Sequence, residues 1–174
     1  MSSLATSPHP TSAAASGALL ALDLGQNTGW ALRQPNGLVT SGTNGFKPGR
    51  FEGGGMSMLR FTTWLGELHQ SAGPLAIVYF EEVRAHKGTA AAHTYGAFLG
   101  QLSAWCEANR VAYAGVPVAT IKKHATGKGN AGKELVIAAM RARGLDPSDD
   151  NEADALAILQ WALAHGVVEG RRHG

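Results

Sequence analysis

Short apolar runs alternate along the chain with turn residues, and they predict a buried sheet that begins antiparallel. Continuous apolar runs flanked by small residues are typical of strands buried on both faces. Two of these runs end in acidic residues. The second and third predicted strands are joined at Pro35-Asn36-Gly37, which favours a hairpin turn. The predicted strands cover residues 18–24, 28–33, 38–43, 75–80 and 111–116.

Apolar residues at helical spacing predict helices in the rest of the chain. Met58, Phe61, Leu65 and Leu68, for example, would share one face of the first helix. The predicted helices cover residues 56–70, 89–109, 119–124, 134–143 and 149–165. Two glycine-rich segments are expected to be loops, a mobile one at 42–55 and a flexible basic one at 126–133.

Length and composition place the chain among ordinary globular proteins. The 174 residues suit one domain over 18–174, after a tail at 1–17 that is rich in Ser, Ala, Thr and Pro and is expected to be disordered. Cys106 is the only cysteine, which excludes an intrachain disulfide and a cysteine-based zinc site. No apolar segment approaches the roughly 20 residues of a membrane span, and the start lacks a signal-peptide pattern, so a cytoplasmic location without membrane contact is expected.

Four carboxylates are the main candidates for chemistry. Asp23 and Glu81 end two buried strands, so both would emerge at one edge if those strands are neighbours. Asp150 and Asp154 lie four residues apart on the final helix and share a face. Four carboxylates suit two Mg²⁺ ions, which prefer oxygen ligands. Two such ions can activate a water and stabilise the leaving oxygen of a phosphodiester.

Each acid also has a structural interpretation. Asp23 could accept backbone N–H bonds in the following turn, and Asp150 could cap the final helix. Glu82 is expected to face away from Glu81, because adjacent strand residues point to opposite faces.

Basic residues in two loops and a short helix would surround the acids. With a net charge of only +2, nucleic-acid affinity must come from such clustering, although each single cation can also be ordinary solvated charge. Lysine and arginine can position phosphates without reading sequence. The candidate DNA contacts are Arg84, His86, Lys87, Lys122, Lys123, Lys128 and Lys133.

Four segments together resemble the RuvC family, the Holliday-junction resolvases of the ribonuclease H-like superfamily. They are Leu20-Ala21-Leu22-Asp23-Leu24-Gly25 with Thr28-Gly29-Trp30, Tyr79-Phe80-Glu81-Glu82-Val83, Ile121-Lys122-Lys123 with Gly127-Lys128-Gly129-Asn130-Ala131-Gly132-Lys133, and Glu152-Ala153-Asp154-Ala155-Leu156-Ala157. The resemblance covers about 19–165. It implies an α/β, ribonuclease H-like fold whose mixed five-stranded sheet starts antiparallel, continues parallel and carries helices on both faces.

The resemblance also implies an activity and a site. The expected protein is a homodimeric, Mg²⁺-dependent endonuclease that nicks two symmetry-related strands of a four-way DNA junction, with Mn²⁺ able to substitute. Asp23 matches a ligand that bridges both ions, Glu81 a ligand to one, and Asp154 a ligand, with a neighbour, to the other. Lys122 and Lys133 match lysines near the scissile phosphate, and Lys133 is a candidate catalytic residue.

Two departures from the family pattern leave questions open. Asn151 stands where the family has an acid, so the fourth ligand is open between Asp150 and Asn151. Arg84 stands where some resolvases carry an aromatic wedge, so the way the junction is opened and the sequence preference at the nick do not carry over. Bacterial and phage-encoded origins are not distinguished.

Three rival functions remain at this stage. One is an actin-like ATP-binding module, which shares an Asp-x-Gly turn but needs a longer chain with two lobes. Another is a nuclease-dead junction-binding protein, suggested by Asn151. The third is a nuclease of the same chemistry that acts on flaps, forks or other branched DNA.

Overall fold

The structure is a computed structural model that describes residues 17–84 and 88–165. Residues 1–16 of the predicted tail and two predicted DNA contacts, His86 and Lys87, lie outside the described residues. The elements are β1 (Ala18–Asp23), β2 (Asn27–Arg33), β3 (Val39–Gly45), α1 (Gly55–Ser71), β4 (Leu75–Glu82), α2 (Thr89–Asn109), β5 (Ala112–Pro117), α3 (Val118–Thr126), α4 (Lys133–Ala142) and α5 (Asp150–His165).

The five strands form one mixed sheet in the order β3-β2-β1-β4-β5. β1 and β3 each pair antiparallel with β2, whereas β4 pairs parallel with both β1 and β5. The predicted mixed α/β sheet is therefore confirmed. Strands β1, β3, β4 and β5 all run the same way and end at one edge, which we call the carboxyl edge.

Both faces of the sheet are covered by helices, and alternation along the strands assigns each residue to a face. Leu20, Leu22, Val78 and Phe80 belong to the core that contains side chains of α1 and α2. Their strand neighbours belong to the second core, with α3, α4 and α5; these are Leu19, Ala21, Ile77 and Tyr79. Burial on both faces explains why these strands read as continuous apolar runs.

Two expectations at element boundaries need correction. The predicted mobile loop at 42–55 starts too early, because residues 42–45 pair with β2 as part of β3. Glycine suits position 42 because a Cβ there would lie only 3.2 Å from the Trp30 ring. The short helix predicted at 119–124 is longer, since α3 begins directly after Pro117 and ends at the left-handed Gly127.

Cys106 is buried on α2. Burial raises the pKa of its thiol to about 12, so the thiol stays protonated and unreactive. None of the helices in the described ranges is long and apolar enough to cross a bilayer.

Candidate active site

Asp23 and Glu81 lie side by side at the carboxyl edge. The parallel pairing of β1 and β4 matches Leu22 with Phe80, and the two acids are the next residue of each strand. Neighbouring strands are about 4.8 Å apart. Because Leu22 and Phe80 face α1 and α2, alternation turns both carboxylates toward the opposite face, where α5 packs.

Gly29 brings the start of α5 onto the same edge. Gly29 pairs with Asp23 across β1 and β2, and a Cβ built on it would overlap the backbone carbonyl of Asn151 and lie 3.0 Å from the amide nitrogen of Glu152. The first turn of α5 therefore rests directly on the strand backbone, which only glycine permits here. This contact places Asp150 and Asp154 within electrostatic range of Asp23.

Hydroxyl groups on β3 hold the same turn of α5 from the side. The Thr43 hydroxyl donates to Asp149 Oδ1 at 2.7 Å, and the Ser41 hydroxyl donates to Glu152 Oε1 at 2.7 Å. Asp149 Oδ1 also accepts the Glu152 N–H at 2.8 Å. Asp149 thus caps α5, a role that the sequence alone left open for Asp150.

Glu152 is a buried acid with a structural role. Its Oε2 accepts the backbone N–H of Ser148 at 2.8 Å and the Ser148 hydroxyl at 2.6 Å. Burial raises the pKa of Glu152, but the hydrogen bonds from Ser148 and Ser41 outweigh it and leave the pKa below its ordinary value. Glu152 is therefore ionised and fixes the segment that leads into α5.

The carboxylates at the edge repel one another. Burial raises the pKa of Asp23 well above its ordinary value, and Glu81, Asp154 and Asp150 raise it further. Burial and the Asp154 charge raise the pKa of Glu81 to about 7. The pKa of Asp154 is also raised, chiefly by burial. This crowding of negative charge would be relieved by a cation.

Two of the predicted DNA-contacting lysines lie beside these carboxylates. The Lys133 ammonium hydrogen-bonds Asp150, which lowers the pKa of Asp150 and raises that of Lys133. Lys122 on α3 offsets part of the rise in the pKa of both Glu81 and Asp154. Two lysines therefore accompany the four carboxylates at this edge.

The other described candidates for DNA contact are exposed. Lys123 and Lys128 are exposed on α3 and the loop that follows. Arg84 is exposed and pairs with Glu82, with 3.4 Å between Arg84 Nε and Glu82 Oε1. Alternation places Glu82 on the face opposite Glu81, as the sequence predicts.

The donor chemistry of the edge fits Mg²⁺ or Mn²⁺. Asp23, Glu81, Asp154 and Asp150 offer hard carboxylate oxygens, and the raised pKa values of the first three come partly from unrelieved like charge. Over residues 17–84 and 88–165, however, no three His, Cys, Asp or Glu side chains already form a closed ligand group.

Sequence reasoning missed the residues that position the acids. The Tyr95 hydroxyl donates to the Glu81 carbonyl at 2.8 Å and accepts the Val83 N–H at 3.3 Å, which braces the end of β4. The capping pair Asp149 and Glu152 has a readable signal, an acid followed three residues later by Glu. Tyr95 carries no local signal, because its role depends on how α2 packs beside β4.

Comparison with known proteins adds a structural likeness. No protein-family model and no curated protein matches the sequence. The RuvC protein of Thermus thermophilus in complex with a Holliday junction substrate superposes with a TM-score of 0.70 at 21% identity, over 86% of this chain and 94% of that chain. A second Thermus thermophilus RuvC structure gives a TM-score of 0.67 at 22% identity, over 86% and 96%. The chain therefore has the fold of RuvC.

Proposed function

We propose that this protein is a structure-selective DNA endonuclease that resolves four-way junctions by paired, symmetric nicks, using two metal ions in each active site. The observation that carries the proposal is the convergence of Asp23, Glu81 and Asp154 from β1, β4 and α5 on one edge of a RuvC fold. One protein of that fold has been solved with a Holliday junction substrate.

The four carboxylates are the proposed metal ligands. Asp23, Glu81 and Asp154 hold Mg²⁺ or Mn²⁺, and Asp150 on the same helix face supplies the fourth carboxylate. Bound ions of this kind activate a water and stabilise the leaving oxygen of a phosphodiester. The contribution of the chain is to fix these carboxylates on two strands and a braced helix.

The lysines would handle the substrate phosphates. Lys133 lies against Asp150 and Lys122 lies near Glu81 and Asp154, so both ammonium groups can reach a phosphate held at the carboxylates. Exposed Lys123, Lys128 and Arg84 would contact backbone phosphates farther along the DNA without reading its sequence.

Paired nicking requires two active sites. A four-way junction has approximate two-fold symmetry, so we propose that the protein acts as a homodimer with one active site for each of two symmetry-related strands. Light scattering on the purified full chain tests this, and a monomer at cleavage-competent concentrations would contradict it.

The deciding experiment is a side-by-side digestion of four DNA substrates, a four-way junction, a replication fork, a flap and a linear duplex, with Mg²⁺, with Mn²⁺ and with EDTA. We expect cation-dependent cleavage of the four-way junction, with two symmetric nicks and ligatable ends. Preferential cleavage of forks or flaps would support the related nuclease instead. Junction binding without cleavage would indicate a nuclease-dead protein, and ATP binding without DNA binding would favour the actin-like module.

A further inference from the structure

The segment between β3 and α1, residues 46–54, holds an aromatic ring out into solvent at the carboxyl edge. We call it the β3–α1 loop. Because β3 runs parallel to β1, the loop leaves the sheet at the same edge as Asp23, two strands away. Two strand spacings amount to about 10 Å. The base of the loop therefore emerges at the same edge as the carboxylates, on the side of the sheet where α1 packs.

The base of this loop is anchored. Phe46 is buried, with ring centroids 5.4 Å from Phe61, 5.5 Å from Trp64 and 6.1 Å from Phe98. Its backbone N–H donates to the Gln26 carbonyl at 2.8 Å, which ties the loop to the turn that follows Asp23. The base of the loop therefore has a fixed position beside the turn that follows Asp23.

The tip of the loop is also fixed, by Glu52. Its carboxylate accepts the Gly49 N–H at 2.6 Å and pairs with Arg60 Nη2 at 2.8 Å. Arg60 Nη1 donates in turn to the Lys47 carbonyl at 3.0 Å. These bonds close a turn between Gly49 and Glu52, so Arg50 and Phe51 are held at its outer end.

Phe51 is 95% exposed, although hydrogen bonds between Gly49 and Glu52 close the turn that carries it. A single exposed apolar side chain is common and implies nothing alone. Here, however, the Arg50 guanidinium lies 5.6 Å from the ring centroid, and Lys47 is exposed nearby. An aromatic ring and a planar cation beside further positive charge suit a nucleobase and its phosphate.

We infer that Phe51, together with Arg50, stacks on an unpaired base of the branched DNA substrate. The inference rests on the proposed function and adds a residue that selects branched over linear DNA, because bases of an intact duplex are already stacked on one another.

The test uses the full chain and a set of four-way junctions that carry 2-aminopurine at successive positions around the branch point. Stacking on a ring quenches this base, so wild type should change its fluorescence, and Phe51→Ala should abolish that change. We expect Phe51→Ala to weaken junction binding by roughly 10-fold, the scale of one stacked base, with little effect on linear duplex. Phe51→Trp should restore both signals.

Leu38→Ala is the matched control, because Leu38 is 54% exposed at the opposite edge of the sheet. It should leave binding and fluorescence unchanged. If wild type prefers junctions, and Phe51→Ala shows the same junction binding and the same fluorescence change as wild type, the stacking role is overturned while the proposed function stands. If wild type shows no preference for junctions, the proposed function fails and the stacking role fails with it. If Phe51→Ala has a lower oligomeric mass than wild type but causes the same fluorescence change, Phe51 belongs to a contact between protein chains and the inference is overturned.

Discussion

The backbone of Asn151 lies against Gly29, so closely that a single Cβ at position 29 would overlap the Asn151 carbonyl. Gly29 is paired in turn with Asp23. One glycine therefore sets the separation between the first-strand carboxylate and the helix that carries Asp150 and Asp154. The same contact gives Asn151 a backbone role in the packing of α5 at the position where the resembling family has an acid.

Gly29→Ala should damage both stability and cleavage. The added methyl must push α5 from the sheet, and such overpacking typically costs about 1–3 kcal/mol of unfolding free energy. Thermal unfolding and junction cleavage measure the two effects. Gly66→Ala is the matched control, because nothing lies within 4 Å of its added Cβ in α1. Equal behaviour of the two variants would show that the Gly29 contact is unimportant.

Asp23→Asn should abolish cleavage while junction binding stays intact or becomes tighter. The change removes a proposed metal ligand and one negative charge from the crowded edge, which would otherwise repel phosphate. Binding and single-turnover cleavage are measured on the same four-way junction. Asp146→Asn, at an exposed acid paired with Arg141, should behave as wild type. Loss of binding in Asp23→Asn would argue that Asp23 is structural.

Asp150→Asn should slow cleavage as much as Asp154→Asn if Asp150 supplies the fourth carboxylate. Asp150 lies in the electrostatic environment of both Asp23 and Asp154, whereas helix capping is done by Asp149. Rates over a Mg²⁺ titration provide the measurement. A near wild-type rate for Asp150→Asn would assign the position to Asn151 or to water.

Lys133→Ala should slow cleavage, because the lysine lies beside Asp150 at the proposed phosphate site. Single-turnover rates at saturating junction separate this effect from weaker binding. Lys123→Ala, at an exposed lysine on α3, should alter the salt dependence of binding more than the rate. An unchanged rate in Lys133→Ala would remove this lysine from the proposed mechanism.

Glu81 should make the metal-free protein less stable as pH rises from about 4.5 to about 7. Its folded-state pKa of about 7 lies above the unfolded value, so the folded state keeps a proton that the unfolded state has lost across this window. In EDTA, wild type and Glu81→Gln should therefore have similar unfolding free energies at low pH. Near pH 7, Glu81→Gln should have the larger unfolding free energy.

The matched control for this pH profile is Glu82→Gln, on the opposite face of β4. The difference between the profiles of Glu81→Gln and Glu82→Gln isolates the effect of the crowded edge. Mg²⁺ should raise the stability of wild type more at pH 7.5 than at pH 5, because only the ionised carboxylates bind it. A wild-type profile parallel to that of Glu81→Gln would contradict the crowded-carboxylate arrangement.

The sequence by itself determined the element order and the acids that end the strands. Continuous apolar runs mark β1 and β4 because both faces of those strands are buried, and the acids Asp23 and Glu81 stand out at their ends. Four-residue spacing put Asp150 and Asp154 on one helix face. These properties are local, so they can be read without knowing which elements touch.

Only the tertiary structure decided how these pieces meet. Three contacts join residues that are distant in sequence, so no local pattern predicts them. They are the contact of Gly29 with Asn151, the hydrogen bonds from the β3 hydroxyls to α5, and the hydrogen bonds between Tyr95 and β4. The turn that carries Phe51 likewise depends on the hydrogen bonds that Arg60 of α1 donates to Glu52 and to the Lys47 carbonyl, which form only when α1 packs beside the loop. Spacing within one element is fixed by backbone geometry, whereas the separation between elements is fixed by packing.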